Sequence, residues 1–209
     1  MAGKKNSAAP PRRLPKQKRG RERMELIMKS TRELLAEGGI SAITTPNIAA
    51  KAAIPVGSIY QYFPNKKAIV AALYEDYLAK VRKPIEQLEE LNDPDIGWRA
   101  AFTTLFRSII RQESKDDLYV ELQKIFALYP ELLEIEQAHS DLVIGFIADF
   151  MKKKGSRWSK ARRQRLARFI YSINDGVWQY RSTWAAANRE TTEWEFLAIF
   201  AALEQAFDN

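Results

Sequence analysis

Seven side chains between positions 44 and 66 carry the chemistry available to this sequence: Thr44, Thr45, Ser58, Tyr60, Gln61, Tyr62 and Lys66. They offer hydroxyls, an amide, phenols and an ammonium. Groups of this kind make contacts, to phosphate oxygens and to the edges of bases in a duplex. Catalysis has little to work with. The chain has no cysteine and one histidine, His139, so nucleophile–base dyads and His-rich metal sites are nearly absent. Asp116-Asp117 is a carboxylate pair, but it reads as a helix cap. The expectation is a protein that is not an enzyme and holds no metal or cofactor.

The elements that must position those groups are short. Thr45 reads as an N-cap, and Pro46 sits in the first turn, where its missing N–H costs nothing. Ile48, Ala49 and Ala52 give this helix a small apolar face. Ala53-Ile54-Pro55 then breaks it, because the residue before a proline is pushed out of the α region. A second helix of about two turns begins at Pro55 and Val56 and carries Gly57, Ser58, Tyr60, Gln61 and Tyr62. Ile59 and Phe63, four apart, anchor it to a core. A bracing helix followed by one that offers short polar groups is a helix-turn-helix.

The stretch from about Arg23 to Leu78 resembles the DNA-binding domain of the TetR family of bacterial transcriptional regulators. The pattern comprises Gly39, Thr44, Ile48-Ala49, Ala52, Gly57, Tyr60, Tyr62-Phe63 and Lys66. Two positions depart from it: Ala53 stands where the turn usually has glycine, and Pro55 where a small polar residue is common. The resemblance implies an all-α fold, with an N-terminal three-helix helix-turn-helix domain and a larger C-terminal bundle for ligand binding and dimerisation. It implies a homodimer joined through the last two helices, and an unidentified small-molecule inducer held in the C-terminal bundle. Thr44, Thr45, Pro46, Val56, Gly57, Ser58, Tyr60, Gln61, Tyr62 and Lys66 form the expected DNA surface. Tyr60, Tyr62, Lys66 and the threonines would hold phosphates; Gln61, with Val56, Gly57 and Ser58, would approach base edges.

Charge and composition narrow the setting. The net charge is +7, and residues 1–23 alone hold nine Lys/Arg against one Glu. Residues 1–20 have too few apolar side chains to offset ordering, and read as a disordered basic arm that tracks phosphates. A plain tail is the competing reading. Residues 67–151 are acidic, and residues 152–168 hold nine Lys/Arg and no acid. That second basic run reads as a solvated face, as a pairing surface for Glu190, Glu193 and Glu195 of another copy, or as a second nucleic-acid site. No run of 18 apolar residues exists, so no membrane span is expected, and the setting expected is the cytoplasm, at the bacterial nucleoid.

The rest of the chain has helical periodicity throughout and no period of two. A first helix over 21–37 carries Met24, Ile27, Met28, Thr31, Leu34 and Leu35 and stops at Gly38-Gly39. The helix-turn-helix domain spans 21–66. Asn65 caps a linking helix over 65–83, which Pro84 ends or kinks, and the ligand-binding and dimerisation domain spans 67–209. Asp93-Pro94 starts a helix to about Gln112, Asp116 or Asp117 caps another, and further helices follow from Glu131, after the basic run, and from Thr192. Thr192-x-x-Glu195 reads as a capping box.

Trp98, Phe102, Phe106, Phe126, Phe146 and Trp178 are the candidate aromatic lining of a ligand site, with His139 and Asn174 as polar groups on apolar stripes. An ordinary packed core is the competing reading for each. Phe169, Ile173 and Val177, with Trp194, Leu197, Phe200, Ala201 and Leu203, are the candidate dimer interface, since residues 194–207 are apolar almost all round. The function expected is a ligand-responsive dimeric regulator, most often a repressor, released from a palindromic operator in double-stranded DNA. A non-specific architectural DNA binder is the alternative.

Overall fold

The computed structural model describes residues 18–87, 92–113, 129–130, 132–184 and 189–208. The described residues form eight helices and no strand. They are α1 (Lys18–Ala42), α2 (Thr45–Lys51), α3 (Val56–Tyr60), α4 (Lys66–Gln87), α5 (Trp98–Glu113), α6 (Leu132–Lys153), α7 (Lys160–Trp184) and α8 (Arg189–Glu204). Two compact units result. Of the described residues, one comprises 18–80, 129–130 and 132–136, the other 81–87, 92–113, 137–184 and 189–208. The helix expected after Asp116, the arm before Lys18 and Phe126 lie outside the described residues.

In the first unit, α1 buries Ile27, Met28, Thr31 and Leu35 on one side, and the Thr31 hydroxyl donates to the Ile27 carbonyl. The helical rod breaks at Gly38 and Gly39, as their placement predicts. Gly39 has φ 63 and ψ −164, a region open to glycine alone. A Cβ on Gly38 would stand 2.8 Å from that of Ala42. The short helical end that follows delivers Ile43, fully buried, to the core beside α2. Ile48, Ile59, Phe63, Ile69 and Leu73 close that core, each with no exposed surface. Burial of such side chains contributes about 1.5–3 kcal/mol apiece.

Asn65 caps α4 by accepting from the Ala68 N–H. The helix does not end at Pro84; it runs on to Gln87 with the proline inside. Proline there removes one backbone bond in the last turn, a small loss compared with the same residue in a helix middle. Asp76 on α4 takes Arg32 and Lys80 as partners, and the Tyr74 hydroxyl donates to Glu136.

In the second unit, α5 sends Trp98, Ala101, Phe102, Leu105 and Phe106 into the core at helical spacing. They meet the aromatic side of α8 and the turn after it: Trp98 stacks on Phe207 at 4.6 Å between centroids, and Phe102 on Phe196 at 5.6 Å. Asp93-Pro94 does not start α5. Asp93 instead accepts from the Asp95 N–H in a tight turn, and the helix begins at Trp98. α8 begins at Arg189, so Thr192 and Glu195 lie inside it and form no capping box. None of the described helices is long and apolar enough to cross a membrane.

Candidate nucleic-acid interface

α2 is set by its cap. Thr44, in extended conformation, accepts the Asn47 N–H at 3.2 Å, so the cap lies one residue before the Thr45 predicted for it. Thr45 and Pro46 then fill the first turn. Asn47 reaches back with its side-chain amide to the Ala42 carbonyl at 2.9 Å, tying α2 to the end of α1. At the far end, the Ala53 N–H bonds the Ala50 carbonyl and the Ile54 N–H bonds the Ala49 carbonyl. This crossed pair is a Schellman motif, closed by apolar contact between its flanking residues. Ala49 and Ile54 are both buried. The motif needs a left-handed residue at Ala53, which has φ 50. An alanine there carries a cost of about 1–2 kcal/mol that glycine would avoid.

α3 is shorter than the two turns expected, five residues. The Tyr62 and Phe63 N–H groups still bond the Ile59 carbonyl, so the coil continues past its regular end. Ile59 and Phe63 are fully buried, while Val56 is 39% and Tyr60 45% exposed. Gly57 and Gln61 are exposed, and Ser58 and Tyr62 half-buried. Thr44 and Thr45 are half-buried and Pro46 exposed on the neighbouring helix. The hydroxyls of Thr45 and Tyr60 lie 3.1 Å apart. A Cβ added to Gly57 would meet nothing within 4 Å. The bareness of Gly57 therefore serves no contact inside the chain, and it leaves the backbone open to close approach from outside.

Lys66 has a partner inside the chain. Its ammonium donates to the Ile40 carbonyl at 3.1 Å, and burial lowers its pKa. The lysine thus ties the start of α4 to the broken end of α1. That partner lies 26 positions away, beyond any local pattern.

The residues expected to line a ligand site fall into groups with partners of their own. Trp98, Phe102 and Phe106 are buried against α8, with Phe146 half-buried on the same core. Asn174 donates to Glu195 at 2.8 Å, and Arg181 to the same carboxylate at 2.7 Å. Trp178 lies beneath the Arg181 guanidinium, 6.0 Å from it. Burial pushes the Glu195 pKa up, against the pull of Arg181 and Asn174. His139 is buried, and its Nδ1 lies 3.0 Å from Arg82. Arginine only donates, so Nδ1 accepts and the ring proton sits on Nε2. Arg82 and Arg181 escape a sequence reading because only the fold pairs them with these partners.

The candidate dimer residues also divide. Phe169, Trp194 and Leu197 are 59%, 56% and 60% exposed. Ala201 is exposed beside them, and Ile173 and Val177 are half-buried. Leu203 is 2% exposed inside the core, and Phe200 packs on Trp98, so both are spent within their own chain. The cause is the α5 aromatic stripe, which claims one side of α8 and leaves only the other bare.

Residues 27–73 match the family model described as bacterial regulatory proteins, tetR family. The chain is 29% identical over 118 residues to the HTH-type transcriptional regulator YuxN of Bacillus subtilis, covering 56% of this chain and 39% of that protein. It is 31% identical over 74 residues to the TetC protein of transposon Tn10 from Escherichia coli, covering 35% and 36%. The matched stretches thus span less than two-fifths of those relatives. The structure is similar to the multidrug binding protein EbrR complexed with imidazole, with a TM-score of 0.66 at 15% identity, covering 86% and 94% of the two chains. At that identity the likeness is one of fold.

Proposed function

We propose that this chain, which carries the DNA-binding domain of the tetR family of bacterial regulatory proteins and belongs to that family, is a DNA-binding transcriptional regulator. It acts as a repressor, and two copies hold one palindromic operator. The observation that carries this reading is the outer face of α3. Val56, Gly57, Tyr60 and Gln61 are exposed together on a coil whose other side is fixed by Ile59 and Phe63. Gln61 is the base-reading residue, with adenine as its fitting partner. Tyr60, Tyr62, Thr44 and Thr45 set register on phosphates, and Lys66 adds its charge at the start of α4.

Pairing of two copies through Phe169, Ile173, Val177, Trp194, Leu197 and Ala201 fits a face that would otherwise leave large apolar side chains in water. Leu203 and Phe200, packed inside their own chain, lie outside that face. A small-molecule inducer would act through the second unit. EbrR, which shares the fold, is a multidrug binding protein, and Arg82 places a cation beside buried His139 on the continuation of α4. A ligand that changed this end of α4 would change how the two reading helices are spaced.

The test is selection of bound duplexes from a random library, with the mass of the protein in solution measured alongside. The expected result is an inverted repeat with half-site centres about 34–36 Å apart, or a multiple of it, and twice the chain mass. Binding without sequence preference would instead support an architectural DNA binder, and a lone subunit would remove the palindrome.

A further inference from the structure

We infer that the surface from Lys152 to Arg168 is a second DNA-binding surface, one that holds a duplex by its phosphates and reads no bases. The run has nine Lys and Arg and no Asp or Glu. In the bodies of the helices some cations meet carboxylates: Arg32 and Lys80 share Asp76, Arg99 takes Glu204, and Arg181 takes Glu195. Within the run, Lys154 donates to the carbonyls of Asp93 and Ile96. No other cation of the run forms an ion pair among the described residues.

The placement of these charges works against folding. Lys160, Arg162 and Arg163 stand in the first turn of α7, where unpaired N–H groups and the helix dipole already make the end positive. Arg163 is 8% exposed; its guanidinium donates to the Trp158 carbonyl, while its Nε is buried with no partner. A cation held there adds to the positive field at the start of α7, which a phosphate seated on the exposed arginines beside it would offset.

The surface is built before any partner arrives. Gly155, at φ 98, makes the turn out of α6. Lys153 and Lys154 fasten the turn to residues 92–96. Ser159 caps α7 by accepting from the Arg162 N–H at 3.3 Å. The Arg162 guanidinium lies over the Trp158 ring, 3.5 Å from its centroid, which holds the planar fork in place.

The chemistry favours DNA over a lipid surface. Five of the nine cations are arginine, whose fork fits a phosphate with two hydrogen bonds. Trp158 and Leu166 are half-buried, and exposed Phe169 just past the run belongs to the face proposed above for contact between copies. From Lys160 to Arg168 the helix rises about 12 Å, the reach of three to four phosphates at about 3.4 Å each along one strand.

The test uses the full chain and a non-palindromic duplex, with affinity followed between about 50 and 200 mM salt. Arg162→Gln, Arg165→Gln and Arg168→Gln together should weaken binding and lower the salt slope by about 1 for each arginine replaced. Sequence preference, measured on the selected duplexes, should not change. An unaltered slope would leave the run a solvated face and overturn the proposal. So would loss of dimer mass in the triple variant, which would assign the arginines to contact between copies, or a loss seen only toward phosphatidylserine vesicles. Because the probe duplex has no palindrome, failure here leaves the operator reading standing, and failure to select an operator leaves this test intact.

Discussion

The hydroxyls of Thr45 and Tyr60 lie 3.1 Å apart, joining the first turn of α2 to the last residue of α3. The bond lies on the exposed side of the turn, where Gln61 is exposed as well. The two helices are braced from below by Ile48 and Ile59 in the core and from above by this pair.

Tyr60→Phe removes the upper brace and one phosphate donor while keeping the ring. An exposed hydrogen bond of this kind contributes about 0.5–1.5 kcal/mol. We expect DNA affinity to fall by about three- to tenfold, alike for every sequence tested. Gln61→Ala, measured on the same set of duplexes, should instead relax preference at one position. Equal profiles for Gln61→Ala and the parent chain would remove Gln61 from the base-reading role.

Gly57→Ala separates folding from binding. The new methyl meets nothing inside the chain, and alanine is better in a helix than glycine by up to about 1 kcal/mol. Denaturant unfolding should show equal or greater stability. Anisotropy with a labelled duplex should show weaker binding, because the methyl stands where the backbone approaches its partner. Undiminished affinity would place the duplex elsewhere.

Two Schellman motifs among the described residues make a controlled comparison. One has Ala53 in the left-handed position and the other Gly155, where the Ser156 N–H bonds the Met151 carbonyl. Ala53→Gly should raise stability by about 0.5–1 kcal/mol, the relief of left-handed alanine exceeding the added chain entropy. Gly155→Ala should lower it by about 1–2 kcal/mol. Chemical denaturation of both variants checks the pair.

Glu195 gives a pH signature. Burial raises its folded pKa, so the folded form binds its proton more readily than the unfolded chain does. The stability this group contributes is fully present below its unfolded pKa, about 4.3, and is lost as pH rises through the raised folded value. Melting of the parent chain and Glu195→Gln across that window should therefore diverge, with the parent gaining relative stability toward acid. Glu195→Ala should cost about 3–5 kcal/mol near neutral pH, because it leaves the buried Arg181 without its carboxylate. A flat difference between parent and Glu195→Gln would mean the carboxyl feels no burial.

The sequence by itself determined what depends on neighbours a few positions apart. The helical class, the glycine break within α1, the proline-marked turn between α2 and α3, the Asn65 cap and the buried spacing of Ile59 and Phe63 all follow from φ/ψ limits and a period of 3.6. Tertiary structure decided what depends on partners far along the chain. Lys66 turns to Ile40, Arg82 meets His139, and Arg181 takes both Thr192 and Glu195, which read as a cap when seen alone. It also decided which side of α8 stays bare, since Phe200 packs on Trp98 and Phe102 and Leu203 lies in the same core, while Trp194 and Leu197 stay outside. Periodicity shows that a helix has an apolar face, but the identity of whatever covers that face is set only when the packed elements compete for it.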